Sequence, residues 1–146
     1  MKRFIIPSVV FLVVISCVLY WGSRSASEAN KLLEDHVSFR GKVVKIKTSA
    51  NHAFGIISLA LDSSSIRQFD RSSAVGLYPY AIKNKQAELY TSIPDGLTTG
   101  DIVSVNSDQK KEAYQYVKSD QKFEGELQMV TADPNIDFVK KNSELK

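Results

Sequence analysis

Cysteine is almost missing from this chain of 146 residues: Cys17 is the only one. A lone thiol forms no intramolecular disulfide, and this one lies in an apolar run, which excludes a disulfide scaffold and offers no thiol nucleophile. Histidine is nearly as scarce, with only His36 and His52. A zinc or iron site needs three or four ligands at close spacing, so no metal is expected. Also missing are a Gly-rich phosphate loop, a Gly-x-Ser-x-Gly elbow and an Asp-x-Asp-x-Asp-Gly calcium loop. Neither a cofactor nor an enzymatic reaction is expected, because no catalytic constellation is visibly assembled.

Acid is missing from the start of the chain, where Glu28 is the first carboxylate. Of the 19 basic residues, Lys2, Arg3 and Arg24 precede it, so the remaining 16 balance the 16 acids. The formal charge of +3 therefore belongs to a leader, and the body is neutral, which speaks against a nucleic-acid partner. Between those charges runs FIIPSVVFLVVISCVLYW, Phe4–Trp21, uncharged over 18 residues. As a helix it spans about 27 Å, close to the ~30 Å of a bilayer's hydrocarbon core. Lys2 and Arg3 outnumber Arg24, which keeps the N-terminus in the cytoplasm and sends the body across. Residues 1–24 are read as a signal anchor, as a lipoprotein leader in which Val14-Ile15-Ser16-Cys17 resembles a lipobox lipidated at Cys17, or as a signal peptide cut near Ser25-Ala26-Ser27. Each fate puts the domain on the extracytoplasmic side, at or near a membrane.

Residues 25–36 read as a polar stalk, and from Val37 the texture turns to β. Phe39, Gly41 and Val43 alternate with Arg40 and Lys42. The adjacent Val43-Val44 then breaks phase, and a bulge there would put Val44 and Ile46 inside and Arg40, Lys42, Lys45 and Lys47 outside. Thr48–Phe54 is a loop and Gly55–Asp62 a second strand. Ile66–Asp70 is a short return strand, and Ala74–Ile82 an edge or bulged segment because it contains Pro79. Gln86–Ile93 fits helix and strand equally well. Pro94-Asp95-Gly96 is a turn. Short strands follow at Ile102–Val105, Glu112–Lys118 and Phe123–Thr131, with Asp95, Asp101 and Asp108 as turn residues. Asp133-Pro134 would cap and open a short helix over 132–146. Residues 37–131 thus form a small five- to six-stranded barrel or sandwich, mainly β.

Two segments carry a resemblance. Phe39-x-Gly41-x-Val43 opens a long bent strand, and Leu97-x-x-Gly100-Asp101-x-Val103 leads into a later one. Over Phe39–Lys118 this pairing, with Asn51-His52 between, resembles OB-fold barrels, and in particular small single-anchor bacterial envelope proteins. The resemblance implies a binding platform and brings no catalytic residues.

Three patches are candidates for contact with a ligand. Arg40, Lys42, Lys45 and Lys47 form the one local concentration of positive charge, either a polyanion surface or the solvated face of an amphipathic strand. Asn51 and His52 occupy the first loop, which OB-like barrels use for ligands, and Asn51 equally serves a turn. Tyr78 and Tyr80 flank Pro79, and a proline-interrupted edge would expose both rings to a glycan or peptide; on strands tyrosine also serves as half-buried packing. Glu124 and Glu126 read as surface charge. The expectation is a membrane-anchored binding or interaction module for a glycan, peptide or envelope protein. The rival is an assembly component of an envelope complex, and a third reading is an unrecognised hydrolase.

Overall fold

In the computed structural model of the chain, residues 13–17, 31–50 and 53–145 are described. Residues 13–17 are helical and exposed, Cys17 included; the rest of the leader, most of the stalk, and Asn51 and His52 lie outside the described residues. Among the described residues no helix is long and apolar enough to cross a membrane.

The body is mainly β. Among the described residues the ten strands are β1 (Ser38–Thr48), β2 (Phe54–Ser64), β3 (Gln68–Phe69), β4 (Ser72–Ser73), β5 (Gly76–Leu77), β6 (Tyr80–Lys83), β7 (Gln86–Ser92), β8 (Ile102–Asn106), β9 (Lys111–Gln115) and β10 (Lys122–Glu126), followed by helix α1 (Asp133–Asn142). Eight of them form one antiparallel sheet, ordered β10-β9-β8-β1-β2-β7-β6-β3, curled into a half-barrel. This is more than the five or six strands expected. The Ser63–Tyr80 stretch contributes a short hairpin, β4–β5, and the outermost strand β3, and Phe123–Thr131 yields β10 as a second edge. Gln86–Ile93 is a strand, and its ambiguity has a cause. Ala87 and Leu89 face the concave core, while Glu88 and Tyr90 are buried on the convex side near α1. With both faces covered, the alternation that marks a half-buried strand disappears.

The long first strand holds the curl. It pairs with β2 and β8, and its register with β2 shifts at Arg40/Gly41 and again between Val43 and Lys45. A Cβ at Gly41 would stand 2.5 Å from the Ala60 carbonyl oxygen, so only glycine lets β2 cross this closely. The bulge sits where expected, but Val44 points outward, 53% exposed, because the extra residue of a bulge is turned away from the ladder. The Gly100-Asp101 turn locks onto the same place: Gly100 N–H donates to the Val43 carbonyl and Val43 N–H to the Asp101 carbonyl, both at 2.8 Å. The buried Asp101 carboxylate accepts from the Thr98 amide and hydroxyl and from the Val117 amide. Desolvation opposes its charge, but these bonds outweigh it and hold the group below the usual carboxylate range.

The concave core joins Phe39, Val43, Ile57, Leu59, Leu89 and Val103 with the aromatic group of Tyr78, Tyr80 and Phe69. Leu33 is fully buried in it, so the expected stalk enters the packed body before it ends. Ion pairs Asp35–Arg71, Glu34–Lys110 and His36–Asp108 fasten that segment. A second core on the convex side places Ile136, Phe138 and Val139 of α1 against Phe54, Ile56, Ala81 and Tyr90. The helix opens on Ala132 without a side-chain cap, and Asp133 is its first residue; the aspartate therefore does not cap, and the following proline alone sets the start.

Candidate functional site

Of the three patches read from the sequence, Asn51 and His52 lie outside the described residues, and the other two do not come together. Tyr78 and Tyr80 are core residues, Tyr80 only 1% exposed, with ring centroids 4.8 Å from Phe69 and 5.5 Å from Phe39. They are not the exposed pair expected around Pro79. A proline removes one donor from the ladder but leaves the carbonyl, and here Pro79 accepts the Tyr90 amide at 2.7 Å. The chain thus stays bonded to β7 at the proline, just before β6 begins, with both tyrosines turned into the core.

The basic stripe divides at the bulge. Arg40 and Lys42 remain exposed on the convex face. Lys45 and Lys47 are engaged by the C-terminal tail: both pair with Glu144, at 2.6 and 2.8 Å, and Lys47 also donates to the Asn142 carbonyl at 2.6 Å. Hydrogen bonds and the charge of the two lysines push the Glu144 carboxyl down to about 2. The same tail is held from below by buried Glu88, which accepts from Tyr90 Oη, Ser143 Oγ and the Glu144 amide. Half of the stripe therefore fastens this chain to itself. Arg40 contributes instead to a shallow depression of about 430 Å³ with Ser38, Ser64, Ser104, Asn106 and Lys111.

A different place carries stronger chemistry. The ladder of β7 with β6 ends on the Tyr90 amide, bonded to the Pro79 carbonyl, yet β7 runs on against β2 to Ser92. At the far edge of the curled sheet, β10 pairs only with β9. Between these two edges the barrel has an open seam, a groove of about 530 Å³ whose walls include Phe54, Pro94, Phe123 and Met129. One side chain bridges it. Glu112 of β9 is 4% exposed, and its Oε1 accepts a 2.9 Å hydrogen bond from Thr91 Oγ1 of β7. The carboxyl lies directly over Gly125 of β10: a Cβ there would stand 2.9 Å from Oε1. Glycine at this point is what lets a glutamate reach across the seam.

The other oxygen, Oε2, is buried and has no hydrogen-bond partner. The Tyr114 hydroxyl lies near enough to favour the carboxylate's charge, and among the described residues it too makes no hydrogen bond of ordinary geometry. Desolvation dominates, and the Glu112 pKa rises to about 7 despite the Thr91 bond. Burying a carboxyl half-satisfied is costly, and such groups cluster at functional sites. Among the described residues no lysine or arginine lines this groove, whereas Glu112 and Glu126 both do. Among the described residues no group of three or more His, Cys, Asp or Glu is placed to hold a metal ion.

Sequence reasoning missed Glu112, although a signal exists. In Glu112-Ala113-Tyr114 the glutamate shares the phase of a core tyrosine, which turns a carboxylate inward. Gly125, opposite it in the ladder, completes the signal once the β9–β10 register is known. Comparison of the chain with protein-family models, with curated proteins and with solved structures finds no match.

Proposed function

We propose that this chain is a membrane-tethered, extracytoplasmic binding module on an OB-like barrel, and that its ligand, a peptide, protein segment or glycan, occupies the seam groove. The uncharged run Phe4–Trp21 behind Lys2 and Arg3 supports the tether and the side of the membrane. The OB-like assignment draws support from connectivity. A first strand curled at a glycine pairs with β2 and then β7 on one side, and with β8 and then β9 on the other; β3–β6 form an insertion and β10 an addition.

One observation carries the functional reading: a buried carboxyl in the groove lining has an oxygen with no partner. Closing the barrel accounts for the bond to Thr91, but it gives no reason to desolvate the second oxygen beside an open groove. A ligand that supplies a donor does. The depression at Arg40 lacks such a group, since none of its residues has an unpartnered buried polar atom.

The test is retention of the full-length chain, in detergent, on peptide and glycan arrays. Ser92 is exposed at the groove's rim, and Ser92→Trp should obstruct the groove while the fold persists. Retention by the wild type that falls about tenfold or more in Ser92→Trp supports the reading. If nothing is retained, and crosslinking captures the same envelope proteins with both forms, the chain is an assembly component that does not use the groove.

A further inference from the structure

The seam groove constrains its occupant in three ways. Its charge is one-sided: Glu112 and Glu126 are present, and among the described residues no basic side chain lies in the lining. A cation therefore meets complementary charge there, and the desolvated environment strengthens the attraction. The carboxyl has a single vacancy, because Thr91 already occupies Oε1 and only Oε2 lacks a donor. A guanidinium prefers two parallel bonds to both carboxylate oxygens, whereas an ammonium acts as a point donor and is satisfied by one. Finally, the groove runs between two strands that lack a partner on its side, β7 beyond the Tyr90 amide and β10. Such edges receive an extended backbone as an added strand.

We infer that the seam groove receives a lysine side chain carried by an extended peptide segment, with its ammonium bonded to Glu112 Oε2. The inference rests on the binding-module reading above and specifies its ligand. The lysine's hydrocarbon stem lies against Phe123 and Met129, and the ammonium displaces no existing bond of the carboxyl. Phe123, half exposed at 50%, stands at the edge strand where such a segment enters.

The experiment uses the full-length chain in detergent micelles and three fluorescein-labelled pentapeptides, acetyl-Ala-Ala-X-Ala-Ala-amide, with X lysine, norleucine or arginine. Norleucine keeps the stem without the ammonium. Fluorescence anisotropy at about pH 8 should show the lysine peptide binding about tenfold tighter than norleucine, with arginine between them. In Glu112→Gln, which retains the acceptor for Thr91, the advantage of lysine should vanish while the thermal unfolding transition remains cooperative. A photoreactive leucine beside the lysine should crosslink to residues of β7 or β10, and this readout needs no variant. Equal binding of the lysine and norleucine peptides by the wild type overturns the inference, as does a lysine advantage that survives in Glu112→Gln. Crosslinks confined to the convex face around Arg40 overturn it as well. If none of the three peptides binds, yet array retention still falls in Ser92→Trp, the lysine inference fails and the binding reading stands.

Discussion

Tyr80→Ala is expected to destabilise the domain by about 3–5 kcal/mol, the range for deleting a large aromatic from a core. The ring is 1% exposed and sits among Phe39, Phe69 and Tyr78, so truncation leaves a cavity walled by rings too large to collapse into it. With total stabilities of about 5–15 kcal/mol for domains of this kind, that loss is a large fraction of the whole. Urea denaturation of wild type and variant measures it. A variant with an unchanged midpoint would mean that the ring is not in the core, and would restore the exposed aromatic surface suggested by Tyr78-Pro79-Tyr80. Loss of ligand retention in Tyr80→Ala would accordingly report unfolding and not a lost contact.

Glu112→Gln is expected to stabilise the protein, and only at the alkaline end. The native carboxyl holds its proton up to about 7, while in the unfolded chain it ionises near 4.5. Between those values the folded state binds more protons than the unfolded one, so stability falls as pH rises. The contribution is complete below about pH 4.5, declines through the interval, and is fully lost above about 7. The rise from 4.5 to about 7 corresponds to about 3 kcal/mol. Glutamine imitates the protonated side chain at every pH. The variant should therefore match wild type near pH 4.5 and exceed it by about 3 kcal/mol at pH 8. Asp101, Asp108 and Glu144, all held below their ordinary values, and His36, raised by its hydrogen bond to Asp108, affect both proteins alike. They cancel in the difference. Parallel stability profiles for the two proteins would show that the Glu112 carboxyl is solvated.

Much of the fold could be read from local pattern. Phe39-x-Gly41-x-Val43 followed by Val44 correctly implied a first strand bent at glycine and bulged directly after. Pro94-Asp95-Gly96 and Gly100-Asp101 marked turns, with positive φ at both glycines. These features are local, and sequence neighbours decide them. Two kinds of information were beyond reach. Whether a face is covered depends on distant elements: α1 and the tail bury Glu88 and Tyr90 and occupy Lys45 and Lys47, which on the strand alone look like solvated charge. The groove is harder still. Glu112 and Gly125 face each other across the β9–β10 ladder, but Thr91 meets them only when the sheet curls far enough to bring β7 beside β10. Each of them, taken alone, is an ordinary strand residue.

The most direct test is carbon NMR of the Glu112 carboxyl as pH is varied, with and without the lysine pentapeptide. The free protein should titrate near 7, and saturation with the peptide should move that midpoint down by about one pH unit or more, since an ammonium bound to the carboxylate disfavours its proton. A midpoint near 4.5 that the peptide leaves in place would contradict both the dry seam and its role as the binding site.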